Sequence, residues 1–368
     1  MDRGVLFSFL LLLLTGLVIL YAASYYNAQD KGNALSEVTS QLTGIGAGAL
    51  LMLVILRVDY RRLSHPAVVA ALVGLSLALL ALVAIPGVGR MLNGSRRWLR
   101  LGPVSFQPSE LAKYAMILFL ARALSAPGRD VRRFFTGLVP LFIVPGAMFL
   151  LILLQPNLST AGSILIVAAV MVLMAGARWL HMGLIGAAGA ALGTFYALSE
   201  DYRRARLLSF RDPFAYLTNE GYQLSQSLMA FGSGGLFGMG LGKGRQKYAF
   251  LPYPESDFIF AVVGEELGLI GACLVILLLM IIVIRCVQIG LRSGNTMSML
   301  VCFGVASTVV FQTFENIGMC IGIAPVVGIT LPFFSYGGSS LFSMFAAMGL
   351  VSGIKYRPKP TRAAIYGR

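Results

Sequence analysis

The sequence predicts an all-α polytopic membrane protein with about ten transmembrane helices and one large extracellular loop. Three observations predict it. Hydrophobic residues make up 57% of the 368-residue chain. Charged residues make up 12%, about half the share of an ordinary soluble domain. The apolar residues also fall in long continuous runs rather than in alternation. In lipid such runs satisfy their backbone groups as helices, not as the strands of a barrel. A mean hydropathy of +0.81 agrees. This composition excludes a soluble enzyme, a disordered chain and a secreted disulfide scaffold. The four cysteines lie in or beside apolar runs and form no C-x-x-C pair, so neither disulfides nor structural zinc are expected.

A run of about 18 apolar residues spans a bilayer. Ten such runs are expected, at 5–26, 40–56, 66–86, 109–124, 135–154, 158–176, 179–198, 258–284, 298–322 and 336–354. Ala22, Ala23 and Ser24 after the first apolar core resemble a cleavage site. The length of that run and the many later ones favour a retained helix. The chain 1–368 reads as a single integral membrane domain, with 199–257 as a large extracellular loop within it. No internal repeat is visible, which gives a transporter of inverted halves no support.

Orientation follows the Lys/Arg bias. One set of loops carries Arg57, Arg61, Arg62, Arg129, Arg132, Arg133, Arg178, Arg285 and Arg292, with the basic tail from Lys355. This set is expected to be cytoplasmic, with both termini inside. The opposite loops should be poor in positive charge and are not. Residues 87–108 hold Arg90, Arg96, Arg97 and Arg100, and 199–257 hold Arg203, Arg204, Arg206, Arg211, Lys243, Arg245 and Lys247. Cations placed against the insertion bias suit an anionic ligand such as a phosphate or pyrophosphate. Anionic lipid head groups, or the loop's own Glu200, Asp201, Asp212 and Glu220, are the blander partners.

The 199–257 loop is rich in aromatic residues, which is not a disordered composition. Its stretch 221–231 has helical spacing and could lie on the membrane surface. The glycines at 232–244 suit close backbone approach to an anion, and equally suit tight turns.

Ionisable residues near a span are functional candidates. Glu110 and Lys113 stand at i, i+3 on one helix face, with Ser109 as the expected N-cap. Asp257 precedes the eighth run, either as a cap or as an ionised carboxylate fit for a general base. Glu265, Glu266, Glu315 and Asn316 lie deeper and read as helix-to-helix polar contacts.

Several motifs resemble one family. Gly94-Ser-Arg-Arg-Trp-Leu-Arg-Leu-Gly102 is followed by Gln107-Pro-Ser-Glu-Leu-Ala-Lys113. Further on stand Asp257-Phe-Ile-Phe-Ala-Val-Val-Gly-Glu-Glu-Leu-Gly268, Asn316-Ile-Gly-Met319 and Leu331-Pro-Phe-Phe-Ser-Tyr-Gly-Gly-Ser-Ser340. In order and spacing they resemble the SEDS proteins (shape, elongation, division and sporulation). The resemblance implies an inverting peptidoglycan glycosyltransferase that polymerises lipid II, a disaccharide-pentapeptide on undecaprenyl pyrophosphate, outside the cytoplasmic membrane. Carried over, Asp257 matches the family's essential aspartate, and Glu110 with Lys113 its polar pair.

The substrate-binding candidates are Arg96, Arg97, Arg100, Arg203, Arg204, Arg206, Lys243, Ser335, Gly337 and Gly338. No metal ligand set is evident. A divalent cation, Mg2+ or Mn2+, is compatible with a pyrophosphate leaving group. The expected partners are lipid II, membrane lipids and a class B penicillin-binding protein, a transpeptidase, with no nucleic acid. A lipid II flippase or another polyprenyl-linked glycan transporter is the alternative.

Two positions depart from the family pattern. Asn157 stands where an aspartate is common, and Pro252-Tyr-Pro-Glu-Ser256 lacks a common histidine. The uninterrupted 238–252 stretch resembles the division and sporulation branch and Asn316-Ile-Gly-Met319 the elongation branch, and the balance leans to the division type. The outer loops hold no histidine, so the base is sought among carboxylates. Of these, only Glu110 and Asp257 sit at a helix terminus on the membrane boundary. Glu110 has Lys113 beside it, which leaves Asp257 as the base.

Overall fold

The computed structural model describes residues 2–30, 35–58, 60–92, 95–101, 104–199, 204–205, 208–217, 221–248 and 250–354. The expected runs appear as helices α1 (Arg3–Asp30), α2 (Ser36–Arg57), α3 (Pro66–Ala84), α4 (Pro108–Leu124), α5 (Val139–Leu153), α6 (Leu158–Met174), α7 (Trp179–Leu198), α9 (Ile259–Arg292), α10 (Thr296–Cys320) and α11 (Gly338–Gly353). Helix α8 (Tyr222–Gly234) arises from the large loop. Six of the spans have by themselves the length and hydropathy to cross a membrane, α5 together with the π-helical turn Phe134–Leu138 before it. The protein is a multi-pass membrane protein.

Helix α4 lies at the centre, packed on α3, α6 and α10 and buried along most of its length. That burial explains how it tolerates Glu110 and Lys113, which an outward-facing helix would expose to lipid. Helix α2 pairs with α11, and α9 packs between α1 and α10. Helix α7 is largely exposed and peripheral.

Four local expectations are corrected. Helix α4 begins with Pro108, and Gln107 is its N-cap residue without a side-chain bond. Ser109 is inside the helix, buried, with its hydroxyl lacking a partner. A proline preset for the first helical turn starts this helix. Asp257 is likewise not the cap of α9; Phe258 holds that place without a side-chain bond. The loop before α4 is not irregular. It forms an antiparallel meander of β1 (Arg90–Leu92), β2 (Ser95–Leu101) and β3 (Val104–Phe106). Arg90 pairs with Trp98, and Leu99 with Phe106.

The fourth correction concerns Glu265 and Glu266. Helix α9 is broken at Gly268, whose φ of 67° and ψ of −167° are not helical. A side chain there would meet the Gly238 nitrogen at 2.3 Å, so only glycine fits. The break exposes backbone donors that the large loop takes up: Leu269 N–H bonds to Gly235 O (2.9 Å) and Ile270 N–H to Leu236 O (3.2 Å). Before the break, Glu266 pairs with buried Lys247 at 2.5 Å and accepts from Gly242 N–H at 3.0 Å. Glu265 accepts from Arg245 N–H (2.7 Å) and Gln246 N–H (3.1 Å). These acids are structural, but they hold a loop rather than a neighbouring helix. Helix α8 packs against α9 in the same assembly.

Candidate active site

Asp257 closes the loop that enters α9, and three elements fix it from behind. Buried Asn316 of α10 donates one amide hydrogen to Asp257 O (2.8 Å) and the other to Ile329 O (2.6 Å). Tyr336 N–H donates to Glu255 O (2.9 Å). Tyr253 and Phe333, both non-glycine residues at positive φ, lie in the two loops so joined. Backbone strain of this kind persists only where surrounding contacts over-determine it.

Strand alternation explains which arginine reaches the aspartate. Along β2 successive side chains point to opposite faces. Leu99 is buried, so Arg97 shares the inward face while Arg96 and Arg100 lie on the other. Arg97 Nε donates to Gln155 O (3.3 Å) and its Nη2 donates to Pro156 O. Gln155 is itself tied to α3 through Leu80 O (3.1 Å). These bonds hold the guanidinium plane with Nη1 directed toward Gly328, on the side from which Asp257 Oδ2 also approaches.

The carboxyl of Asp257 is pushed up to about 6. Burial is the main cause and the Glu255 carboxylate the second, opposed by Arg97 and by a hydrogen bond from Ser256. Expectation and structure differ here: a helix N-terminus was to favour the charged form, but desolvation outweighs it. The consequence favours chemistry. A carboxylate near 6 is still ionised at neutral pH and is a stronger base than an ordinary one.

Glu110 and Lys113 do form the expected pair, at 2.8 Å and buried, and Ser343 of α11 donates to the other Glu110 oxygen at 2.8 Å. The pair thus joins α4 to α11. Asn157 uses its side chain to accept Thr160 N–H at 3.3 Å as the N-cap of α6, a task that needs no charge. Ser335 is buried; its hydroxyl accepts from Leu331 N–H (2.8 Å) and its carbonyl from Gln41 of α2 (3.1 Å). Gly337 N–H reaches the same glutamine at 3.4 Å. Gly338 opens α11, with open space where a Cβ would be. These three residues shape the wall that carries Tyr336.

Of the other cations, Arg96 lines a small cavity with Met91, Leu154 and Pro156. Arg100, Arg204 and Lys243 are exposed. Arg203 and Arg206 lie outside the described residues. Among the described residues no group of three or more His, Cys, Asp or Glu side chains could hold a metal ion. Both Glu110 oxygens are engaged, one by Lys113 and the other by Ser343.

Sequence reasoning missed Asn316 as the clamp on Asp257, and it missed Gly328. It also could not single out Arg97 from its neighbours. The alternation Arg96-Arg97-Trp98-Leu99-Arg100 was the available signal.

A family model described as cell cycle protein, of the FtsW, RodA and SpoVE type, matches residues 3–359. Stage V sporulation protein E of Bacillus subtilis is 41% identical over 349 residues, 94% of each chain. The probable peptidoglycan glycosyltransferase FtsW of Geobacter sulfurreducens is 37% identical, over 94% of this chain and 92% of its own. Among solved structures, one chain comes from work on the structural coordination of polymerization and crosslinking by a peptidoglycan synthase complex. It matches with a TM-score of 0.77 and 32% identity, covering 95% of this chain and 96% of that one. The rod shape determining protein RodA of Thermus thermophilus matches with a TM-score of 0.71 and 31% identity over 96% of each. With its motifs in order and its whole length matched, the chain belongs to the SEDS family of FtsW, RodA and SpoVE.

Proposed function

We propose that this protein is a peptidoglycan glycosyltransferase that polymerises lipid II on the outer face of the cytoplasmic membrane, with both termini cytoplasmic. The observation that carries the reading is the convergence of Asp257 and Arg97 on one open point above Gly328. A sugar hydroxyl needs a base to become a nucleophile at neutral pH. Asp257 takes the proton of the incoming unit's hydroxyl as that oxygen bonds to the anomeric carbon of the growing chain. The bond from that carbon to the pyrophosphate oxygen breaks, and the electron pair leaves with undecaprenyl pyrophosphate. Arg97 bears part of the charge that develops there, as a fixed guanidinium does for phosphate oxygens.

The flippase reading needs a midplane site with gates on both sides. The convergent charges here sit instead at helix ends, in loops. Likeness to sporulation and division proteins supports the division and sporulation branch. A class B penicillin-binding protein is the proposed partner, supported by the similarity to a chain of a peptidoglycan synthase complex. The test incubates the purified protein with labelled lipid II, with and without such a transpeptidase, and resolves products by gel. Glycan polymer is expected. Translocation of lipid II across vesicles without polymer would favour the transporter.

A further inference from the structure

We propose that Gly328 is a positioning residue for the reaction, whose missing side chain keeps open the slot where the two sugar units meet. This rests on the reading of Asp257 as base and Arg97 as pyrophosphate ligand. Gly328 is exposed. Among the described residues, its chain neighbours aside, a Cβ built on it meets two atoms within 4 Å: Asp257 Oδ2 at 3.5 Å and Arg97 Nη1 at 3.8 Å. Among the described residues, the space above this exposed glycine is bounded by the base and the guanidinium.

Neither backbone conformation nor crowding calls for glycine here. Gly328 is the centre of a three-residue turn closed by Ile329 N–H to Val327 O at 3.2 Å. Its φ is outside the left-handed region, so the turn is of the inverse kind that other residues adopt readily. Both contacts of an added methyl are ordinary van der Waals distances. What glycine supplies is space. A nucleophilic hydroxyl must come within about 2.6–3.2 Å of the base, and the reacting carbon must lie about 3–3.5 Å from that oxygen. A methyl resting against Oδ2 and Nη1 takes the room through which both must approach.

The backbone carrying the base is also tied to the backbone carrying the floor. The amide of Asn316 bonds at once to Asp257 O and to Ile329 O, the residue after Gly328. One buried side chain thus sets the base and the floor of the slot relative to each other.

The test uses the full-length protein in lipid nanodiscs, with Gly328→Ala, Gly328→Val and Asp257→Asn side by side. Three quantities are read: initial rate of glycan polymer from lipid II, affinity for labelled lipid II, and thermal unfolding. Gly328→Ala should lower the rate about tenfold and Gly328→Val about a hundredfold, the scale of a misplaced near-attack geometry. Unfolding should stay as in the parent, and affinity should fall by much less than the rate, because the added carbon displaces neither charged group. Wild-type rates in Gly328→Val overturn the proposal. So does a loss of rate in Gly328→Ala that merely tracks lost stability or lost binding. The Asp257→Asn arm separates the two claims. If it is inactive while Gly328→Val is active, the base reading stands without the slot; if it is active, both fall.

Discussion

Two groups of carboxylates flank the same half-helix, residues 259–267, and they differ in how their charge is answered. At its far end Glu265 and Glu266 are buried and matched atom by atom, by Lys247 and by three backbone N–H groups. At its near end Asp257 remains partly exposed, with Arg97 across an open point and Glu255 raising its pKa. A fully answered charge holds structure in place. A carboxylate that is desolvated but opens onto a slot retains the capacity to take a proton. Depth or burial alone would have ranked these groups the other way round.

The comparison breaks most sharply at Lys247. Lys247→Ala leaves Glu266 buried with the Gly242 N–H as its remaining donor, and losing one partner of a buried pair costs about 3–5 kcal/mol. The large loop should then detach from α9, seen as new protease cleavage between 235 and 247 and as lost folded yield. A stable, uncleaved Lys247→Ala protein would show that the loop is held by the backbone bonds at Gly268 instead.

Glu110 and Lys113 should behave like the structural group. Either single alanine change costs about 3 kcal/mol or somewhat more. The exchange Glu110→Lys with Lys113→Glu should restore expression more than activity, since Ser343 then faces an ammonium group with its hydroxyl. Full activity in Glu110→Ala would remove the pair from the mechanism.

Much of this was legible in the sequence, for physical reasons. Long apolar runs reveal spans because lipid demands them, and i, i+3 spacing reveals the Glu110–Lys113 pair because helix geometry is local. Asp257 was legible by its place before α9. Its environment was not, because Arg97, Asn316 and Gly328 come from distant parts of the chain and meet it only through tertiary packing. The start of α4 was misjudged because a serine two residues from the true cap resembles a cap, while Pro108 sets the first turn. The meander was missed because its strands are short and punctuated by glycine and proline.

A smaller effect sharpens the electrostatic half of the comparison. Polymerisation requires ionised Asp257, so its rate should fall as pH drops through about 6. The groups that set this value are Glu255, Arg97 and Ser256. Arg97 lowers it, so Arg97→Gln should move the acid limb to higher pH while weakening affinity for lipid II. An acid limb that stays in place, measured as initial rate against pH, would mean that another group titrates.

The most direct measurement of the central claim is glycan polymerisation by Asp257→Asn beside the parent protein, with lipid II affinity and thermal unfolding read on the same samples. Asparagine keeps the shape of the side chain and removes its capacity to take the proton. Fold and lipid II binding should be retained and polymer synthesis lost by about a hundredfold or more, the weight of general-base catalysis. Near-normal polymerisation by the folded variant would contradict the account.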